Sequence, residues 1–446
     1  MIFEPITIKG TTFKNRILRS SMGGKTSYYD GSFSNAAKNF ERRFARGGVG
    51  GIVSATITVD DHRWSPLEYP KMTKDKFIEP LREAARAVQS FDCRYIVQLG
   101  DHGYHTQTSL FSERADELSA SDGFDLAFGY RSFRSAMSTE DIEQVIENFA
   151  QAARRVRESG CDGLEITASK GYLIHQFLNP AINHRTDQYG GSVDKRFRLL
   201  EEIVNATRKQ IGSDFLLGVK LSARDFNFSP LNVRLPIAFP LRDWWFGNDL
   251  PVTIKYGRRL KELGVDYLHV TNGFGFVNPR ESPGRFPAEE WRLLLNATRH
   301  LSRKAAIRAT IFNTIPRLVR DHLLNIGWGF RSAPNLADAA EFKRQVGLPV
   351  IANGGFQSRS VIETALADQR CDLVAMARPL LANPDLVEEF RAGREMPARP
   401  CNHCNRCSLG TGTLPLGCYE PARFSSVDEM ERQIIELSGN PDPLPA

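Results

Sequence analysis

The stretch from Pro349 to Pro379, PVIANGGFQSRSVIETALADQRCDLVAMARP, holds two short apolar runs on either side of a helical segment. Each run ends in a turn, Gly354–Gly355 after the first and Ala377–Arg378–Pro379 after the second. Runs apolar on nearly every residue suit strands buried on both faces, the condition of a parallel sheet. Six more runs of the same kind precede this pair: RILRSSM from Arg16, GIVSATI from Gly51, RYIVQLG from Arg94, GLEITAS from Gly163, LLGVKLS from Leu216 and YLHVTNG from Tyr267. Helical patterns separate them, among them KDKFIEPLREAARAVQSF, PVTIKYGRRLKELG and STEDIEQVIENFAQAARRVRESG. The last starts on Ser138 with Asp141 three residues on, a capping-box-like opening. Eight strand–helix units predict an α/β fold, a (β/α)8 TIM barrel over residues 1–398, with residues 399–446 as a cysteine-rich tail. A doubly wound sheet uses the same units and stays open, because strand order is not legible from strand count.

The chain has 446 residues, 41% of them hydrophobic, and a net charge of +6 spread along its length. That supports a large core and argues against a nucleic-acid partner. No apolar run reaches spanning length and the N-terminus has no signal-peptide pattern, so the expectation is a cytoplasmic protein without a membrane role. Cys93, Cys161 and Cys371 are scattered in apolar or turn contexts, as in a reduced compartment. Two insertions exceed a minimal barrel: NFSPLNVRLPIAFPLRDWWFGNDLP after the fifth strand, and the passage from Asn278 to about Gly347 after the sixth. Loops after barrel strands lie on the active-site face, so both are expected to form its walls or lid.

Several residues carry chemistry by type and place. Backbone N–H groups at the Gly354–Gly355 turn, with Arg378 at the next, suit a phosphate. Gln98 ends the third strand with a donor and an acceptor together, which matches a pyrimidine-like ring edge. Lys220 is a cation inside an apolar strand and demands a negative partner: Glu165, Asp225 or electron-rich ring atoms of a cofactor. CNHCNRC, Cys401 to Cys407, with Cys418 beyond, has the spacing of an iron–sulfur loop. A four-cysteine zinc site uses the same ligands, and spacing alone leaves both open.

The segment GYLIHQFLNPAINHRTDQYGGSVDKRFRLLEEIV, from Gly171, resembles the old yellow enzyme family, closest to its trimethylamine dehydrogenase and 2,4-dienoyl-CoA reductase branch. FKNRILRSSM, GGVGGIVSATITV, VQLG, DGLEI, VIANGGF and DLVAMARP follow in the family's order, so the likeness covers roughly residues 1–395. The resemblance implies FMN, contacted by Ser21, Met22, Gly23, Ala55, Gln98 and Lys220, with the phosphate on Gly354, Gly355, Ala377 and Arg378. It implies NAD(P)H as a reductant, and a 4Fe–4S centre on Cys401, Cys404, Cys407 and Cys418. Lys220 stands where the family has arginine. Thr167 and Lys170 stand where it places His and Asn to grip the substrate, which implies a changed substrate; Tyr172 matches the proton-donating tyrosine. Asp101 replaces a common histidine, leaving His102, Tyr104 and His105 as further pocket candidates.

Three functions follow. The first is reduction of an activated C=C bond with Tyr172 as proton donor. The second is dehydrogenation of an amine or N-methyl compound, with electrons leaving through the cluster. The third is an electron-relay flavoprotein subunit. The residues after Cys418 carry no G-x-G-x-x-G fingerprint, so the expected electron acceptor is a partner protein, unless the cluster is only structural. A homo-oligomer is compatible with all three.

Overall fold

The computed structural model describes all residues except 64–69, 106–117, 125–132, 228–246, 276–277, 281, 412–413 and 440–446. Eight parallel strands close a barrel: β1 (Ile17–Arg19), β2 (Gly51–Thr58), β3 (Arg94–Gly100), β4 (Gly163–Ala168), β5 (Leu216–Ser222), β6 (Tyr267–Thr271), β7 (Val350–Asn353) and β8 (Leu373–Met376). Pairing of β8 with β1, Val374 opposite Ile17, seals the ring and excludes the open doubly wound sheet. All eight predicted strands are present.

The helices that follow them are α1 (Asn35–Arg46), α2 (Ile78–Gln89), α3 (Thr139–Glu158), α4 (Val193–Ile211), α5 (Leu250–Glu262), α6 (Leu336–Val346), α7 (Arg359–Ala367) and α8 (Leu386–Arg391). The start of α3 is the capping box expected: Asp141 N donates to Ser138 Oγ at 3.1 Å and Ser138 N donates to the Asp141 carboxylate at 2.8 Å. Its inward stripe, Ile142, Val145, Phe149 and Val156, is fully buried. Each such side chain is worth about 1.5–3 kcal/mol out of water. Arg19 of β1 is buried in an ion pair with Glu41 of α1 and donates to Val53 O of β2 at 2.8 Å, which locks the first unit.

Side chains alternate along a strand, so one set of each fills the barrel. At the N-terminal end that set is apolar: Leu18, Val53, Ile96, Leu216, Tyr267, Ile351 and Leu373 cluster with Ile8 and Phe13. The last two come from the hairpin Ile6–Ile8/Thr11–Phe13, which stoppers the bottom. The interior turns polar toward the other end, where the chemistry lies.

Most of the insertion after β5 falls outside the described residues. The one after β6 contributes three helices, Ala288–Thr298, Arg303–Thr314 and Arg317–Leu324, before α6. These helices support the tail: Phe286 and Ala288 cluster with Leu409, and Arg285 N donates to His403 O at 3.0 Å. The tail also reaches the end of β1, where Leu416 N donates to Gly24 O at 3.3 Å, and the loop after β7, where Gln357 exchanges two hydrogen bonds with the Cys401 backbone. Among the described residues no helix is long and apolar enough to cross a membrane.

Candidate active site and cysteine cavity

Parallel closure brings the C-terminal ends of all eight strands to one mouth. Ser21, Met22 and Gly23 follow β1, Ala55 lies in β2, Gln98 in β3, Thr167 in β4 and Lys220 in β5. Gly354 and Gly355 follow β7, and Ala377 and Arg378 follow β8.

A charged layer crosses the barrel just below this mouth. Glu165, fully buried, accepts from Gln98 Nε2 at 2.6 Å, from the Tyr267 hydroxyl at 3.1 Å and from His269 Nδ1 at 3.0 Å. Burial works to raise its carboxyl, but His269, Lys220 and the Gln98 bond outweigh it and hold it below the usual carboxylate range. Burial pushes the Lys220 ammonium down to about 8 against the pull of Glu165. Lys220 Nζ donates to Ser20 Oγ at 3.4 Å. Of the two carboxylates expected to answer Lys220, Glu165 does so, while Asp225 serves another network. Thr56 Oγ1 donates to Gln98 Oε1 at 2.6 Å, and beyond its two bonds this amide keeps one N–H and one lone pair.

The turn after β4 carries the residues that depart from the resembling family. Lys170 and Gly171 both take left-handed backbone, φ 62° and 78°. A Cβ on Gly171 would stand 2.5 Å from His105 Cε1, so glycine alone fits there. Gly171 N donates to His175 Nδ1 at 3.0 Å, which leaves the ring proton on Nε2 for Asp225 Oδ1, 2.8 Å away. Asp225 Oδ2 also accepts from Asn179 Nδ2 at 3.0 Å and from Asn248 N and Nδ2 at 2.6 and 3.0 Å. The His175–Asp225 tie, which no pattern in the sequence singled out, thus holds the turn bearing Lys170 and Tyr172. Asn179, four residues after His175, lies just past the end of the short helix Leu173–Leu178, and neither residue points in the sequence to Asp225.

Tyr172 is 4% exposed, with its ring 4.6 Å from that of His102. His102 Nδ1 lies 3.3 Å from Arg63 O and is the donor; burial pushes this imidazole down to about 4, so it is neutral at pH 7. Asp101 is a strut: Arg63 Nε donates to both its oxygens at 3.0 and 2.9 Å, and Gly103 N adds a third bond at 2.8 Å. Tyr104 packs with Ile182 and Phe274, and His105 lies edge-on to Phe274, so both stand in a packing layer behind the mouth. Thr167 Oγ1 is 3.4 Å from Ser169 Oγ. Burial, then Lys220 and Arg378, drive the half-buried Lys170 ammonium well below the ordinary lysine value. Lys170, Lys220 and Arg378 therefore share one electrostatic neighbourhood, and an anion there would relieve their repulsion.

The match to known proteins now decides the family. Residues 1–230 and 326–396 match the profile of the NADH:flavin oxidoreductase / NADH oxidase family. The chain belongs to that family. It is 31% identical to a protein described as a probable NADH-dependent flavin oxidoreductase, YqiG of Bacillus subtilis (strain 168), over 88% of each chain. It is 26% identical to the NADH oxidase of Thermoanaerobacter brockii over 99% of its own length, but spans 60% of that relative's. The solved 2-naphthoyl-CoA reductase complex shares the fold, with a TM-score of 0.71 at 21% identity over 94% of this chain and 56% of that one.

The NADH:flavin oxidoreductase family's cofactor is FMN, and the donor set at the mouth fits it. Lys170, Lys220 and Arg378 gather basic groups that an anion would stabilise, the buried Gln98 amide keeps spare hydrogen-bonding capacity, and Gly354 and Gly355 form a turn at φ 96° and 70°. At Gly355 a Cβ would lie 2.6 Å from Arg331 O, so this turn, too, needs glycine.

Arg378 links the mouth to the tail. Its Nη1 donates to Pro283 O at 2.8 Å and to Asn405 Oδ1, and Asn405 Nδ2 donates in turn to Ser282 O and Arg285 O at 2.9 and 3.0 Å. Cys401, Cys404, Cys407 and Cys418 line one cavity together with Arg378, Asn402, Asn405 and Tyr419. Left-handed backbone at His403 (φ 56°) and Asn405 (φ 61°) folds the loop back so that its three cysteines face one space. All four are free thiols, and burial pushes Cys404 and Cys407 up to about 12. Among the described residues no three His, Cys, Asp or Glu side chains gather into a site for a metal ion.

Arg378→Ala is expected to act on both sides of this link. Each hydrogen bond from a charged group is worth about 1.5–3 kcal/mol, so FMN should be lost on dialysis and residues 399–439 should become easier to proteolyse. Full FMN retention in the variant would remove Arg378 from the cofactor site.

Proposed function

We propose that the chain reduces an activated C=C bond, of enone or enoyl type, with FMN held at the barrel mouth and NAD(P)H as reductant. The observation that carries this reading is the seating of Tyr172, an acid-bearing ring at the mouth on a turn fixed by the His175–Asp225 tie. FMN bound there supplies hydride from its N5 position. Lys220 and Gln98 hold the ring, and Ser21, Met22, Gly23 and Ala55 line it. Gly354, Gly355, Ala377 and Arg378 take the phosphate. Tyr172 delivers the proton to the α-carbon of the substrate, and Thr167 and Lys170 orient the substrate. The test is anaerobic: NADH or NADPH should bleach the bound flavin, and an enone or enoyl thioester should restore its colour. Restoration by no alkene, together with bleaching by an amine, would favour dehydrogenation instead.

That second reading draws support from the shared position of Arg378, which touches both the mouth and the cysteine cavity. In it, Cys401, Cys404, Cys407 and Cys418 ligate a 4Fe–4S cluster that passes electrons to a partner protein. The same ligands suit zinc as a structural alternative.

Lys170 is the residue proposed to set substrate charge. Lys170→Met should raise KM for anionic substrates about tenfold or more, the effect of one lost charged hydrogen bond, and leave neutral substrates unchanged. Equal effects on both would reduce Lys170 to a structural cation.

A further inference from the structure

The three helices inserted after β6 carry a surface that the oxidoreductase chemistry does not use. Of the sixteen large hydrophobic residues exposed among the described residues, eight lie between Leu293 and Phe330. The helix Arg317–Leu324 is turned inside out. Leu318, Val319 and Leu323 face solvent, at 85%, 50% and 52% exposure, while Arg320 is buried over the Phe312 ring at 5.1 Å. On the helix Arg303–Thr314, Ile307 and Ile311, one turn apart, also face outward, and Ala305, Ala309 and Phe312 face in. Ile326 and Phe330 extend the ridge beyond the last helix. All three helices lie in the interval that the family profile leaves unmatched.

Charge accompanies the apolar ridge. Residues 288–331 contain eight Arg or Lys against three acidic residues, a net +5 in a chain whose total is +6. Arg299, Arg303, Arg317 and Arg331 are exposed. A second copy of the chain would set this positive rim against its own like, which costs energy. Projecting aliphatic side chains with arginines beside them are the signature of a helix lying in a membrane interface. A juxtamembrane cation is worth about 1 kcal/mol at an anionic leaflet. That no helix among the described residues is long and apolar enough to span a membrane concerns a different mode of binding from this one.

We propose that the outer face of Arg303–Thr314, Arg317–Leu324 and the segment to Phe330 seats this protein on an anionic lipid surface. Phe330 stacks on His403 at 4.0 Å, so the docked face adjoins the cysteine loop.

The test uses the purified full chain and vesicles of phosphatidylcholine with or without about one third phosphatidylglycerol, a composition chosen to probe leaflet charge. Wild type should co-sediment with the anionic vesicles, less so as salt rises, and weakly with neutral ones. Leu318→Asp and Ile311→Asp should each weaken partition about tenfold or more. Both sites are exposed, so FMN content and thermal unfolding should not change. Arg303→Glu with Arg317→Glu should abolish the preference for phosphatidylglycerol. No partition of wild type at low salt, or partition indifferent to the aspartates, overturns the proposal. So does a dimer that the aspartates dissociate without any vesicle binding, which assigns the ridge to a second copy. Salt-sensitive binding of an acidic plant-type ferredoxin in place of vesicles assigns it to a protein and overturns it equally.

Discussion

Tyr172→Phe is expected to slow reoxidation of the reduced enzyme by an enone about 10²–10⁴-fold, the usual contribution of a positioned general acid. Reduction by NADH should be unaffected, because the proton is needed only once an alkene is bound. The backbone and ring contacts of Tyr172 survive the substitution. Tyr172 caps the short helix Leu173–Leu178 through its backbone, and Leu173 N donates to Asp101 O at 2.9 Å. The ring's contact with His102 is a packing contact that phenylalanine keeps. Stopped-flow traces of the two half-reactions separate the outcomes. Equal reoxidation rates in wild type and variant, for every enone that wild type accepts, would end the proton-donor assignment and leave amine oxidation as the stronger reading.

The second large effect is expected at the cysteine cavity. Anaerobically purified protein should hold about four irons and four sulfides per chain, the stoichiometry of a 4Fe–4S centre, and Cys404→Ser should remove nearly all of both. FMN should remain, since Cys404 lies in the tail and the flavin groups lie on the barrel. The tail itself should loosen. Among its described residues the buried apolar anchors are Leu409, Leu416 and Leu437, and a tail held by the proposed cluster would owe much of its order to the metal. Iron and sulfide analysis, with limited proteolysis of residues 399–439, reads both effects. Stoichiometric zinc without iron in protein kept from oxygen would instead make the tail a zinc-pinned flap.

The barrel was legible because each strand is buried on both faces and each run is bounded by turn residues, as in GLEITAS and LLGVKLS. The α3 start was legible because a capping box is a local arrangement within four residues. The tie from His175 to Asp225 was not, since it joins the loop after β4 to the loop after β5, and nothing in either segment names the other. Asp101 read as a substituted pocket residue because its partner, Arg63, lies on a different loop. The inverted helix Arg317–Leu324 has an ordinary amphipathic pattern, and periodicity gives the width of an apolar stripe without saying which way it faces. Glu165 was paired with Lys220 as one of three options, and only the barrel register, Lys220 opposite Thr167 and Gly218 opposite Glu165, turns both side chains to the same face.

The docking of Leu416 on Gly24 has a consequence for the order of events during synthesis. Gly24 takes its place only when β1 has met β8, and β8 ends at Met376, shortly before the cysteine loop begins. The strand that closes the barrel precedes the cysteine loop in the chain, and the tail docks onto a surface that the closed barrel makes. Arg378 lies between the closing strand and the cysteine loop in the chain, so the barrel's mouth can form without the tail's cysteines. A chain that stops before Cys401 should therefore still close its barrel, whereas the tail has no docking surface until the barrel exists.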